Sequence, residues 1–185
     1  MSLEEKVGQL IQLIGRFYRE ETKDIMTGPE EEIGLPPKYL DLPGSIMNIY
    51  GADRLKKLQT ECMEKQPHHI PVLFMMDIIH GMKTIFPVPL GQAATFDPEL
   101  TRMGAEIAAK ESAVMGLHVG FSPMSDLVRD PRWGRVVESY GEDPYMISRF
   151  VEAHVKGFQG TNMKEPGKMC ACIKHFAGYG GAEAG

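Results

Sequence analysis

Short apolar runs alternating with capped, amphipathic stretches constrain this chain more than any other feature. The run "IPVLFMMDII" (70–79) is nearly uninterrupted apolar sequence, of the length of a strand covered on both faces. "GSIMNI" before it, and "LHVGFSPMSD" and "KMCACIKHF" after it, read as three further strands. Helices fill the intervals. "ADRLKKLQTECMEKQ" carries Leu55, Leu58 and Cys62 on one face. The next helix starts at Asp97-Pro98, a cap followed by proline in the first turn, and ends at Gly116. Its apolar stripe is Leu100, Met103, Ile107 and Val114. Another starts at Asp143-Pro144 and carries Ile147, Phe150, Val151 and Phe158.

At the amino terminus Ser2 and Glu5 have capping-box spacing, and Val7, Leu10, Ile11 and Ile14 follow at helical spacing. The polar stretch "RFYREETKDIMTGPEEEIGLPPKYLDLPG" then reads as a long connection. The order is one helix followed by β-α-β-α-β-α-β, which implies a parallel sheet with right-handed crossovers. Alternation alone leaves a doubly wound sheet and a (β/α)8 barrel both open. "NIYGADR", after the first strand, holds a single glycine, which argues against a phosphate-cradling nucleotide fold.

The 185 residues suffice for one domain with a real core. A dispersed net charge of −5 offers no basic field to nucleic acid or anionic lipid. No apolar run approaches the roughly 18 residues that span a bilayer. The opening "MSLEEKVGQL" has acids where a secretion signal has bases, and the three cysteines form no disulfide framework. Both features predict a cytoplasmic location, unless a signal has been trimmed away.

In parallel α/β folds chemistry collects beyond the carboxyl ends of the strands. Asp77 interrupts an apolar run there, the charged loop "SDLVRDPRWGRVVESYGEDP" follows the next strand, and Lys174-His175 closes the last. Each has a plainer reading. Asp77 is placed to cap the loop "IIHGMKTIFP", and Arg129, Arg132 and Arg135 are placed to pair with Asp130, Glu138 and Asp143. The adjacent lysine and histidine are harder to explain structurally. Neighbouring strand residues point to opposite faces, so a pocket that receives both needs an irregular backbone, a bulge or a non-proline cis bond. We therefore expect an irregularity at Lys174 to Phe176.

Cys170, Cys172 and His175 suggest a metal only weakly, because Cys-x-Cys on a strand sets both thiols on one side and His175 on the other. They read as two buried cysteines, so no metal or cofactor is expected. His68 and His69 read as solvated turn residues, and the 13 methionines as core filler. A carboxylate among cationic donors suits an uncharged polyol, with Trp133 and Phe176 as an apolar wall for a sugar ring. A phosphate would be repelled by Asp77.

The segments "LFMMDIIHGMKTIFPVPLGQAATFDPEL", "GFSPMSDLVRDPRWGRVVESYGEDPY" and "CIKHFAGYGGAEAG" together resemble family 3 glycoside hydrolases, especially bacterial β-glucosidases. The likeness runs over essentially the whole chain. It implies an α/β fold, the first half (about four βα units) of a (β/α)8 TIM-type barrel preceded by an N-terminal helix. By the same resemblance Asp77, Arg135, Lys174 and His175 match the family's sugar-binding residues of the −1 subsite, and the Lys-His pair has a cis peptide. It implies retaining hydrolysis of terminal β-D-glucosyl residues through a glycosyl-enzyme intermediate. Ala177 and Tyr179 replace the proline and histidine of the β-N-acetylhexosaminidase subgroup, which favours glucosidase or xylosidase specificity.

The family's nucleophile is an aspartate in a Ser-Asp-Trp-like motif, and its acid/base glutamate comes from a second domain. Trp133, in "PRWGR", is the only tryptophan here, so no catalytic residue is assigned, and Asp77 and Glu138 are not promoted to the role. Residues 1–185 are expected to be a partial barrel domain, inactive alone, with the remaining strands and a second α/β domain absent. The expected ligands are β-linked glucosides or short oligosaccharides, and two half-barrels could dimerise through exposed edges. The alternatives are a parent β-xylosidase and a non-catalytic sugar-binding or structural fragment.

Overall fold

The structure is a computed structural model, and it describes residues 1–18 and 36–183. Most of the long connection expected at 16–44 lies outside the described residues. The chain divides into two compact units, Met1–Met76 with Met115–Leu117, and Asp77–Val114 with His118–Gly185.

In the first unit helix α1 (Leu3–Gly8) starts with the expected capping box. The Glu5 amide donates to Ser2 Oγ at 3.1 Å and the Ser2 amide to Glu5 Oε2 at 2.6 Å. The helix is shorter than its apolar spacing predicts. Gln12–Ile14 instead forms strand β1, with Leu13 buried between exposed Gln12 and half-buried Ile14. Over three residues a period of 3.6 and a period of 2 are hardly separable, and here the ladder offered by β2 (Ser45–Met47) decides. The described strands therefore number one more than the four expected. β1 pairs with β2 in parallel, Leu13 opposite Ile46, and β2 pairs with β3 (Leu73–Met76), Ile46 opposite Phe74. Helix α2 (Ala52–Lys65) buries Leu55, Leu58 and Cys62, as its spacing predicts. Gln59 ties this helix to the chain entering β3: its Nε2 donates to the Val72 carbonyl at 3.0 Å and its Oε1 accepts from the Val72 amide at 2.8 Å.

In the second unit a short helix α3 (Pro89–Ala93) precedes α4 (Pro98–Val114), and α5 (Pro144–Gln159) follows. Both Asp-Pro starts hold. Asp97 Oδ1 accepts from the Glu99 amide at 3.0 Å, and Asp143 Oδ1 from the Met146 amide at 2.7 Å. Helix α5 buries Ile147, Phe150 and Phe158 on its expected face. Helix α4 does not: it buries Thr101, Ala105, Ala108, Ala109 and Ser112, while Leu100, Met103, Ile107 and Val114 stay exposed. The reason is close approach. A Cβ added at Gly157 of α5 would lie 2.4 Å from the Arg102 carbonyl oxygen and 2.7 Å from Ala105 Cβ. Only small side chains fit such a crossing, so the alanine face of α4 turns inward.

Strands β4 (Val119–Gly120) and β5 (Cys170–Ala171) are parallel, Val119 opposite Cys170. They are shorter than the apolar runs because Pro123 carries no amide hydrogen for the ladder. Pairing resumes one residue later, where Met124 bridges Lys174. The Lys174 amide donates to the Pro123 carbonyl at 3.1 Å, and the Ser125 amide to the Lys174 carbonyl at 2.7 Å. The two strand ends are thereby locked side by side.

Candidate functional site

Asp77, the first residue after β3, exposes 47% of its side chain, whereas Lys174 exposes 12%. Lys174 Nζ donates to Asp77 Oδ1 at 2.6 Å, a charge-assisted contact. The expected backbone irregularity is present: Lys174–His175 and Phe176–Ala177 are both cis peptides. Lys174 and His175 turn to neighbouring partners in one cluster. His175 Nδ1 meets Asp126 Oδ2 at 2.8 Å and its backbone amide donates to the same oxygen at 3.2 Å.

Arg135 completes the group. Its Nε and Nη2 donate to the two oxygens of Glu138 at 2.7 and 2.6 Å, a bidentate pair, and its Nη1 lies 3.2 Å from His175 Nε2. These contacts assign the imidazole tautomer. A guanidinium only donates and a carboxylate only accepts, so Nε2 offers its lone pair to Arg135 and Nδ1 carries the hydrogen given to Asp126. Arg135 beside Glu138 holds that carboxyl below the usual range and is itself raised further. Glu138 therefore stays ionised at neutral pH with both oxygens engaged. An open concavity of about 340 Å³ is lined by Asp77, Phe121, Arg135, Lys174 and His175. It adjoins a second of about 530 Å³ formed by Arg135 and the loop from His175 to Tyr179.

All four sequence-predicted site residues thus meet. Other expectations need correction. Trp133 is only 3% exposed, packed with Met124 and Val128, and cannot wall an open site. The ring that lines the concavity is Tyr179, edge-on to Trp133 at 5.3 Å and to His175 at 4.6 Å, under the Arg135 guanidinium at 5.4 Å. Gly180 lets this loop close down, since a Cβ there would lie 2.3 Å from the Leu127 carbonyl oxygen. Phe176 is fully exposed. Cys170, within β5, is exposed and Cys172, just past its end, is half-buried, so they are not the two buried thiols expected. Arg132 forms a structural pair with Asp130 at 2.6 Å. Asp77 does not cap the following loop: Glu111 does, accepting from the Lys83 and Thr84 amides at 2.8 Å each.

Asp126 is the residue that the sequence reading missed. Its side chain is 1% exposed and fixes His175 from 49 positions away. The available signal was positional, an aspartate closing "FSPMSD" at the same strand end as Asp77. A separate, mostly apolar cavity of about 260 Å³ is lined by Phe86 and by Leu100, Met103 and Ile107 of α4, with no Asp, Glu, Lys or Arg in its wall. The polar rim is the place where chemistry can be done. It offers one half-exposed carboxylate, Asp77, and the cationic donors Lys174 and Arg135, with the engaged imidazole of His175 beside them.

The profile of the glycosyl hydrolase family 3 N-terminal domain matches residues 2–185. A periplasmic β-glucosidase of Salmonella typhimurium is 33% identical over 100% of this chain and 23% of its own length. A periplasmic β-glucosidase/β-xylosidase of Dickeya chrysanthemi is 38% identical over 57% of the chain and 16% of its own length. The crystal structure of a β-glucosidase from Listeria innocua in complex with isofagomine superposes with a TM-score of 0.87 at 42% identity, covering 98% of this chain and 25% of that one. The chain spans about a quarter of the length of the Salmonella and Listeria proteins. The periplasmic relatives overturn the cytoplasmic expectation. An acidic opening in a chain spanning a quarter of its relatives carries no information about a leader. The parallel strands and intervening helices are those of the first half of a (β/α)8-type barrel, and the chain belongs to glycosyl hydrolase family 3, within its N-terminal domain.

Proposed function

We propose that this chain supplies the sugar-gripping residues of the −1 subsite of a retaining, exo-acting β-glucosidase. Asp77 accepts from ring hydroxyls and Lys174 and Arg135 donate to others, while His175, both of its ring nitrogens engaged, lines the subsite and braces Arg135. One observation carries the reading: Lys174 and His175, adjacent in sequence, join the same cluster as Asp77 and Arg135. Phe176 and Tyr179 are the exposed aromatic rings beside it, suited to the C–H face of a sugar. The two carboxylates of the double displacement lie outside this chain, in the remaining strands of the barrel and a second domain. Among the described rim acids, Glu138 and Asp126 have their oxygens committed to Arg135 and His175. Glu138, held ionised, has no proton to give a leaving group. A secreted or periplasmic location accompanies this reading, in keeping with the relatives. A β-xylosidase parent is the second reading, favoured by the mixed specificity in the Dickeya relative's name.

The test is a titration of this chain with methyl β-D-glucoside, followed by nuclear magnetic resonance. Saturable shifts at residues 174–179 are expected. Replacing Asp77 or Lys174 by alanine should weaken binding by about 10- to 100-fold, the worth of one charge-assisted hydrogen bond. Equal affinity in either variant would refute the assignment, and tighter binding of the xyloside would favour the second reading.

A further inference from the structure

Behind the sugar-gripping rim lies a buried polar chain that none of the rim contacts uses. Ser122 is 0% exposed, His154 of α5 3% and Tyr140 3%, amid apolar neighbours. Ser122 Oγ donates to the Ile78 carbonyl at 2.7 Å and lies 3.2 Å from His154 Nε2, while the Tyr140 hydroxyl lies 3.1 Å from His154 Nδ1. The directions follow from counting hydrogens. A carbonyl can only accept, so the single hydroxyl hydrogen of Ser122 goes to Ile78. The serine must then accept from Nε2–H, which leaves Nδ1 with the lone pair that accepts from Tyr140. Every link is satisfied in one orientation, Tyr140 to His154 to Ser122 to the Ile78 carbonyl. Burial keeps the tyrosine hydroxyl protonated and the imidazole neutral, consistent with that order. Stacking of Tyr140 on Phe150 (5.2 Å, 18°) fixes the far end.

The near end is one residue from Asp77. The chain has left β3 there, and no ladder contact is needed to seat the Ile78 carbonyl once Ser122 donates to it. We propose that Ser122, His154 and Tyr140 form a positioning network that sets the backbone after Asp77 and so aims its carboxylate at the sugar. The inference rests on the reading of Asp77 as a sugar ligand. It assigns a use to a histidine that, alone on an apolar helix face, would pass for core.

The test couples two substitutions in this chain, again with methyl β-D-glucoside as the probe. Ser122→Ala should weaken binding about fivefold, the worth of roughly one neutral hydrogen bond. In an Asp77→Ala background the same substitution should cost nothing further. A merely structural serine would cost the same in both backgrounds, and that result overturns the proposal, as does unchanged affinity in Ser122→Ala. Should Ser122→Ala not fold, Tyr140→Phe keeps the ring stack and removes only the donor to Nδ1. A smaller loss, about twofold and again absent without Asp77, is then required. Imidazole nitrogen resonances supply an independent readout: His154 protonated at Nε2 in the parent and still so in Tyr140→Phe, where the Ser122 hydroxyl keeps accepting from it. A parent spectrum with the hydrogen on Nδ1 would overturn the order of the network. If Asp77→Ala itself binds the glucoside like the parent, the sugar-site reading falls and this inference with it. If Asp77→Ala weakens binding and Ser122→Ala shows no coupling, only the positioning network fails.

Discussion

Replacing Asp126 is the sharpest structural perturbation available, because one buried carboxylate holds both the backbone and the ring of His175. The side chain is 1% exposed and accepts from the His175 amide at 3.2 Å and from Nδ1 at 2.8 Å. A hydrogen bond to a charged acceptor is worth about 1.5–3 kcal/mol, and a donor left without one in a buried site forfeits that amount. Two such bonds total about 4 kcal/mol. His175 is 31% exposed, so water recovers part of the loss on the ring, and about 3 kcal/mol remains for Asp126→Ala. Asp126→Asn keeps one acceptor oxygen and should cost about half as much. Urea unfolding, with equal slopes and a shifted midpoint, measures both. The glucoside titration should lose affinity in parallel, since an unanchored His175 no longer braces Arg135. A loss below about 0.5 kcal/mol for Asp126→Ala, or an asparagine variant as stable as the parent, would refute the reasoning.

Two further predictions concern the second unit. Gly157→Ala should destabilise by about 2 kcal/mol, although alanine in a helix interior normally stabilises by about 1 kcal/mol. Here the added Cβ would meet the Arg102 carbonyl oxygen at 2.4 Å, and a shift of the urea midpoint upwards would contradict the close crossing of α4 and α5. Burial pushes His154 from an ordinary 6.5 down to about 3, so between those values the unfolded chain binds a proton that the native chain refuses. Stability is then fully present above about pH 6.5 and falls as the pH drops towards 3, by up to about 1.4 kcal/mol per unit. Comparing unfolding at pH 6.5 and 5 in the parent and in His154→Gln isolates this proton from the carboxylates, and identical slopes would contradict it.

What was legible in the sequence depends on how far each residue's partner lies. The caps at Ser2, Asp97 and Asp143 are local, and each donates or accepts as its spacing predicts. The irregular backbone at Lys174 to Phe176 was legible from a conflict of parity, two adjacent strand residues required on one side. Asp77, Arg135, Lys174 and His175 could be singled out because their types are out of place at strand ends, and the structure brings the four together. Asp126 escaped, since nothing in its own neighbourhood announces a bond to position 175. The inward face of α4 was misread for a related reason: apolar spacing points to leucine and methionine, but the tight crossing against Gly157 admits only alanine, serine and threonine. Strand β1 was absorbed into α1 because three residues cannot declare their period without the partner strand. Trp133 was assigned to a ring wall by type, whereas it is buried with Met124 and Val128, and Tyr179 is the ring beside the open concavity.

The measurement that bears most directly on the whole account is hydrolysis of an aryl β-D-glucoside by two proteins, this chain alone and a chimera in which it replaces the matching segment of the Listeria innocua enzyme. The account predicts no turnover above the uncatalysed rate for the chain alone. The chimera should turn over, and Asp77→Ala within it should lower kcat/KM by about 100-fold or more, a loss of about 2.7 kcal/mol of transition-state stabilisation. Turnover by the chain alone would mean that one of its own carboxylates is the nucleophile. The division of labour proposed here, grip within the chain and chemistry outside it, would then be wrong.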